Sequence, residues 1–279
     1  MALYAIGDVQ GCDEELGRLL KKLRFNADRD RVWFVGDLVN RGPDSLGVMR
    51  RVRAMADNIV VTLGNHDLHL IAVAFGASKL RRNDTLEALM NAADFDGLLT
   101  WLITCPFMHE DRERGLALLH AGLPPQWDME TARTCAGEAH GALMRDPEKF
   151  VSRMYGDQPR VWDTALAGAE RTRYITNCFT RLRFLHADGS LNFTEKDGPK
   201  AVTQTGNEER LIPWFAFESA RWRGTHVVFG HWSTLGYFRN EDVTSLDTGC
   251  GWGNQLTALR LDRGDAPAVA VDCSHYARE

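Results

Sequence analysis

Arg31-Val32-Trp33-Phe34-Val35-Gly36-Asp37-Leu38-Val39-Asn40-Arg41-Gly42-Pro43 is the stretch that decides the fold. A short apolar run enters a loop of Gly, Asp and Asn closed by Pro, and Ser45 to Met55 then reads as a helix. The same unit stands on either side. Leu3 to Ile6 runs into Gly7-Asp8-Val9-Gln10-Gly11, followed by Glu14 to Leu23 with Leu16, Leu19, Leu20 and Leu23 at helical spacing. Ile59 to Leu63 runs into Gly64-Asn65-His66-Asp67, followed by Leu68 to Phe75. Strands alternating with helices imply βαβ units and a largely parallel sheet, an α/β fold.

Further along, the strand pattern resumes at Leu116 to Leu119, before His120-Ala121-Gly122, and at Thr225 to Phe229, before Gly230-His231-Trp232. Val243 to Leu246, Gln255 to Leu261 and Ala268 to Val271 read as closing strands of a second sheet. Between them, residues of about 78–104 and 129–174 are helical and charged, and read as a helical insertion or cap on a single domain spanning 1–279. The length and the 44% hydrophobic content suit one large α/β domain carrying such an insertion.

Loops at the carboxyl ends of neighbouring strands converge in such sheets, and ligands bind there. Asp8, Asp37, Asn65 with His66, His120 and His231 each follow a strand. A single Asp in that place reads as a helix N-cap, and a single His as a hydrogen-bonded structural residue. Together they form a donor set of carboxylate, amide and imidazole, which suits Mn²⁺, Fe²⁺, Co²⁺ or Mg²⁺; sulfur ligands of a structural zinc site are missing.

In order and spacing, these blocks resemble the calcineurin-like metallophosphoesterases, from Gly7-Asp8 to Gly230-His231. The resemblance implies a β-sandwich of mixed sheets flanked by helices. It also implies two divalent metal ions, Mn²⁺ or Co²⁺ with Mg²⁺ as the alternative, bridged by Asp37. Asp8 and Gln10 would hold the first ion, and Asn65, His120 and His231 would complete the second. His66 falls where the family has a general acid, and Arg41 where an arginine fork orients phosphate. The family usually has His where this chain has Gln10, which weakens the first metal site. Its protein-phosphatase branch has an acidic residue where this chain has Asn40. Asn40, Asp67 and Asp247 are read as residues that support the ligands, Asp247 through a hydrogen bond to a ligand histidine.

Residues 36–45, 64–70, 120–128, 175–184 and 246–252 resemble one branch of that family, bacterial enzymes that split dinucleoside tetraphosphates symmetrically. The match runs from Tyr4 to about Leu261. It implies hydrolysis of diadenosine tetraphosphate to two ADP by metal-activated water, with RNA 5′ ends capped by nucleoside tetraphosphates as a further substrate. Arg181 and Arg183, beside Phe179 and Phe184, suit phosphate and base, or else lie on a strand facing water. Trp127, Trp232 and Trp252 lie near the loops, to stack on a base or to pack in the core. A serine/threonine protein phosphatase and a non-catalytic nucleotide-binding protein are the competing readings; Asn40 counts against the first, and Gln10 motivates the second.

The net charge of −5 argues against a dedicated nucleic-acid binder. Met1 leads directly into Leu3-Tyr4-Ala5-Ile6 without a basic start, and no apolar run approaches the ~20 residues of a membrane span, so no membrane partner and a cytoplasmic location are expected. In that setting Cys12, Cys105, Cys135, Cys178, Cys250 and Cys273 are expected as reduced thiols. The sequence leaves the oligomeric state open.

Overall fold

The computed structural model describes residues 1–199 and 211–274; residues 200–210 and 275–279 lie outside the described residues. The first part alternates as expected: β1 (Leu3–Ile6), α1 (Asp13–Leu23), β2 (Arg31–Phe34), α2 (Ser45–Arg53), β3 (Ile59–Val61) and α3 (Asn65–Ala74). Acidic Asp13, Glu14 and Glu15 open α1 and Lys21 and Lys22 end it, which complements the helix dipole. The Asp44 side chain caps α2 by accepting from Gly47 N. Helix α3 begins at Asn65, earlier than the periodicity suggests, so that Asn65 and His66 occupy its first turn.

Short helices α4 (Glu87–Met90) and α5 (Phe95–Ile103) lead into β4 (Met108–Asp111) and β5 (Leu116–Leu119). Then come α6 (Met129–Arg145), α7 (Pro147–Met154) and α8 (Gly168–Arg181), packed on one another, with α7 also against α3. Asp128 and Asp146 cap α6 and α7. The helical pattern runs on to Arg181, so this arginine ends a helix and does not lie on a strand.

β6 (Phe184–Leu185), β7 (Leu191–Asn192) and β8 (Ile212–Pro213) form a small sheet that the sequence pattern does not announce. The chain closes with β9 (His226–Phe229), β10 (Phe238–Arg239), β11 (Val243–Ser245), β12 (Gln255–Arg260) and β13 (Val269–Asp272).

Two five-stranded mixed sheets result, ordered β13-β12-β1-β2-β3 and β10-β11-β9-β5-β4. The expectation that the last strands close the second sheet holds for β11 alone. β12 and β13 join the first sheet instead, β12 running antiparallel to β1 with Tyr4 opposite Arg260. The physical reason is the edge of β1: β2 covers one side, and the returning chain satisfies the other, as in Leu261 N donating to Leu3 O at 2.7 Å.

Strands buried on both faces read as continuous apolar runs, yet their side chains still alternate. Leu3, Ala5, Trp33, Val35 and Leu259 of the first sheet form one cluster with Leu118, Val228 and Leu246 of the second, which is the layer between the sheets. Their neighbours Tyr4, Ile6, Val32, Phe34, Leu119, Val227 and Phe229 face outward, into the layers shared with the helices. Leu118 is fully buried in that inner layer. Leu118→Ala is expected to lower unfolding free energy by about 2–5 kcal/mol with an unchanged urea m-value. A loss below 1 kcal/mol would show that the two sheets do not pack there.

Candidate metal centre and substrate cleft

The strands β1, β2 and β3 run parallel, as do β5, β9 and β11, so their carboxyl ends can meet at one rim. The loops there are forced into left-handed backbone. Gln10, Asp37, Asn40, Arg41 and His231 all have positive φ, and among non-glycine residues of the described chain only Arg24, a helix C-cap, shares it. Such residues persist where the surroundings over-determine them. Here Gln10 N donates to Asp37 O at 2.8 Å, Gly11 N to Leu38 O at 2.9 Å and Asn40 N to Ser45 Oγ at 2.9 Å. The Asp67 carboxylate receives Asp37 N and Gly64 N through Oδ2 and Leu38 N through Oδ1, at 2.8, 2.9 and 3.0 Å. Close backbone approach requires glycine at two positions: a Cβ on Gly64 would overlap Asp37 Oδ1, and one on Gly230 would overlap Asp8 Oδ1.

Asp8, Asp37, Asp67 and Asp247 are buried together. Burial first, then mutual repulsion with Asp247 and Asp37, pushes the Asp8 carboxyl well above its ordinary range. Desolvation likewise raises Asp37, Asp67 and Asp247 from 3.8 to about 7. Asp247 meets the Asp8 carboxyl and accepts from Gly249 N at 3.0 Å, where a hydrogen bond to a ligand histidine was expected. So dense a set of desolvated acids is stable only with protons or cations among them.

Ligand atoms of Asp8, Asp37 and His120 lie within 4.8 Å of one another. His120 is held by its Nδ1, 2.9 Å from the Val35 carbonyl, which leaves Nε2 3.5 Å from Asp37 Oδ2. One atom of the Asn65 carboxamide stands 2.8 Å from His231 Nδ1 and 3.2 Å from His120 Nε2. With nitrogen turned that way the amide donates to its neighbours; with oxygen turned that way it faces the two imidazole nitrogens and the Thr180 carbonyl, four acceptors converging, a demand that a cation meets. Burial depresses His120 to about 4 and His231 well below 6.5, so both rings are neutral and free to ligate. His231 N donates to both Asp8 oxygens at 3.2 Å.

Gln10 turns its Nε2 toward Asp37 Oδ2 at 3.5 Å, and its oxygen toward Gly251, where a Cβ would come within 2.6 Å of it. Ligation through that oxygen therefore needs the amide to turn over. His66 N donates to Asp37 Oδ1 at 2.8 Å, and His66 Nε2 is 3.9 Å from Asp37 Oδ2. Burial, and then Arg41, depress the His66 ring to about 3.

Above this floor opens a cleft of about 620 Å³ lined by Arg41, His66, Tyr155, Arg181, Arg183 and Trp252 among others. The Arg41 guanidinium lies 5.6 Å from the ring centre of Trp252, which is 49% exposed. Arg183 is half-buried beside the acids; its Nη2 donates to the His231 carbonyl at 2.9 Å, and its buried Nε has no hydrogen-bond partner. Arg181 pairs with Asp157 at 2.9 Å and covers the Phe193 ring at 4.6 Å.

Trp127 is a correction. It is fully buried, edge-on to Trp162 and Tyr174 and against Phe179, so its face is taken up by core packing and it does not line the cleft. Trp232 is buried as well, donating to the Asp197 carbonyl. The expectation of reduced thiols fails at one pair: Cys250 and Cys273 form a disulfide, because β13 ends beside the turn that carries Trp252; Cys12, Cys105, Cys135 and Cys178 are free and buried. The pattern reading misses Asp84, Tyr155 and Phe193. Asp84 sits in the charged run Arg81-Arg82-Asn83-Asp84, where nothing in the sequence separates it from a solvated turn.

Among the described residues no helix is long and apolar enough to cross a membrane. Residues 1–235 match the calcineurin-like phosphoesterase family. A relative from Thioalkalivibrio sulfidiphilus, named symmetrical bis(5′-nucleosyl)-tetraphosphatase, is 47% identical over 98% of this chain and 100% of its own. Another of that name from Methylococcus capsulatus is 48% identical over 99% of this chain and 96% of its own. A crystal structure described provisionally as a diadenosine tetraphosphatase superposes with a TM-score of 0.63 at 24% identity, covering 97% of this chain and 93% of that one. Sequence match and fold agree, and the chain belongs to the calcineurin-like phosphoesterase family.

Proposed function

We propose that this chain hydrolyses dinucleoside tetraphosphates symmetrically, yielding two ADP from diadenosine tetraphosphate, at a centre that takes two divalent cations, Mn²⁺ or Co²⁺ with Mg²⁺ as the alternative. The observation that carries the reading is the cluster of buried acids and neutral imidazoles under an arginine-walled cleft, in a chain nearly half identical to enzymes named for that reaction. The donor set fits the cations, since it offers carboxylate and amide oxygen and neutral imidazole nitrogen, with acids in excess of the Arg183 guanidinium beside them. Asp37 would serve both ions, with Asp8 and Gln10 on one side and Asn65, His120 and His231 on the other, and Asp247 supporting Asp8. When bound, the cations would lower the pKa of a water and neutralise phosphate charge.

The chain's own residues supply orientation. Arg41 and Arg183 present fixed guanidinium forks to the phosphate oxygens, which planar donors hold in pairs. His66 directs Nε2 toward the leaving oxygen, and Trp252, half exposed beside Arg41, offers a face for a base. We place the activity in the cytoplasm, where nucleotide pools lie.

Purified protein given diadenosine tetraphosphate and Mn²⁺ is expected to release ADP as the sole nucleotide, measured by anion-exchange chromatography; AMP with ATP would overturn the symmetrical reading, and faster turnover of a phosphopeptide would favour a protein phosphatase. Asp37→Ala is expected to lower kcat about 10³-fold or more. Gln10→His should reduce the Mn²⁺ concentration for half-maximal rate by about tenfold, and an unchanged requirement would show that position 10 does not ligate.

The acids also set a pH dependence for the metal-free chain. Asp37, Asp67 and Asp247, raised from 3.8 to about 7, bind protons when folded that the unfolded chain does not, so stability is lost as pH rises toward 7. His66 and His120, depressed from 6.5, act in the opposite sense, but only below about 6.5. In chelator the Tm is therefore expected to fall between about pH 6.5 and 8, and saturating Mn²⁺ should flatten that fall. A chelated Tm as flat as the loaded one would show that the acids are not protonated.

A further inference from the structure

The Asn40 carboxamide has one orientation available to it. Its Oδ1 accepts from Arg41 N at 2.9 Å and from Thr85 N at 3.0 Å, so Nδ2 is the atom that meets Asp84 Oδ1 at 2.9 Å and His66 Nδ1 at 3.1 Å. An amide nitrogen only donates. His66 Nδ1 is therefore the acceptor, and the ring proton sits on Nε2, the atom that faces Asp37 and the cleft.

Behind Asn40 the Asp84 carboxylate is filled. Its Oδ2 accepts from Arg81 N and from His69 Nε2, each at 2.7 Å, and the Asp84 and His69 side chains are 2% and 8% exposed. With its proton on Nε2, His69 leaves only its buried Nδ1 acceptor unpartnered. The backbone N–H of Arg81, together with Asn40 and His69, outweighs burial and holds Asp84 ionised. One amide hydrogen of Asn40 is thus committed to Asp84, and the other to His66.

We propose that Asp84 is a positioning residue which, through Asn40, keeps His66 a neutral hydrogen-bond donor on Nε2 and so fits the site to phosphoanhydrides in preference to phosphate esters of alcohols. A second proton on His66 Nδ1 would meet the Asn40 NH₂ group and find no acceptor, so the hydrogen-bond geometry disfavours the imidazolium that full proton transfer from Nε2 needs. In anhydride hydrolysis the water oxygen bonds to phosphorus while the bridging P–O bond breaks. Its electron pair stays on the leaving phosphate oxygen, and the proton of water passes to solvent. A phosphate oxygen ionises near neutrality, at about 6, so a hydrogen bond suffices. An alcohol oxygen must take a whole proton, which a neutral imidazole does not release. A neutral histidine serving as electrophilic donor is an established device in other enzymes.

This inference rests on His66 facing the leaving oxygen, and its test separates the two. In protein labelled with ¹⁵N-histidine, with and without Mg²⁺, the His66 resonances, assigned with His66→Asn, are expected to show the proton on Nε2 alone at neutral pH. A proton on Nδ1 overturns the proposal whatever the substrate proves to be. The paired exchange Asn40→Asp with Asp84→Asn keeps charge and volume but turns an acceptor toward Nδ1. It is expected to move a proton to Nδ1 and to raise the kcat/KM ratio of glycerol 2-phosphate, an ester of an alcohol, over diadenosine tetraphosphate about tenfold or more. A ratio unchanged within about twofold, with the tautomer shifted as expected, overturns the link to substrate choice. Asp84→Asn alone, if it folds, should loosen the tautomer without raising that ratio; an unaltered His66 spectrum in it would remove Asp84 from the arrangement. Failure of the unaltered protein to cleave the dinucleotide would sink the proposed function, and the spectra would still decide the tautomer.

Discussion

Four carboxyl groups, those of Asp8, Asp37, Asp67 and Asp247, are desolvated side by side at the ends of the central strands. Burying like charges is among the least favourable things a fold does, and the surrounding structure is organised around tolerating it. Asp67 accepts from three backbone N–H groups, and in return it fixes the loop that carries Asp37. Asp8 is met by the His231 N–H, and the half-buried Arg183 attracts Asp8, Asp37 and Asp247. What these contacts leave uncompensated is a negative centre for cations, which is the chemistry a phosphoester or anhydride requires.

The sandwich supplies the convergence. The first sheet runs β1, β2 and β3 parallel on one side with the antiparallel pairings of β12 and β13 on the other, and the second keeps parallel β11, β9 and β5 between antiparallel β10 and β4, so the ends that meet are those of β1, β2 and β3 from one sheet and β5 and β9 from the other. Residues far apart in the chain, such as Asp8 and His231, become neighbours because Leu118 and Val228 pack against Leu3, Ala5 and Val35. The inner layer is thus a functional element: its thickness sets the distance between the two halves of the ligand set. The left-handed backbone of Gln10, Asp37 and His231 aims the side chains inward once the strands have delivered them.

Around that centre, amides do work that charged groups do elsewhere. Gln10 stands where an imidazole would be a stronger ligand, and Asn40 stands where a carboxylate would stabilise a charged histidine. Neither change adds negative charge to an already crowded floor. The carboxylate that Asn40 lacks is present one step back, in Asp84, whose segment also receives Arg41 through the Asn83 carbonyl. The segment of residues 81–85 is therefore tied to the site by its hydrogen bonds and is not a passive connection between α3 and α4.

The sequence by itself determined the βαβ units, the strand ends and the donors placed there, because hydrophobic periodicity and Gly-Asp or Gly-Asn loops are local signals. It separated the two meanings of aspartate only in part. Asp44, Asp128 and Asp146 do cap helices, while Asp8 and Asp37 face the centre; the difference lies in the joint pattern of strand ends and not in any one residue. Tertiary structure alone decided which sheet receives β12 and β13, since an apolar strand carries no label for its partner. It alone put Trp127 in the core and Trp252 at the cleft, joined Cys250 to Cys273, and set Asp84 behind Asn40. The physical reason is common to all four: burial, pairing and hydrogen-bond direction depend on groups distant along the chain, and those become neighbours only when the sheets close on each other.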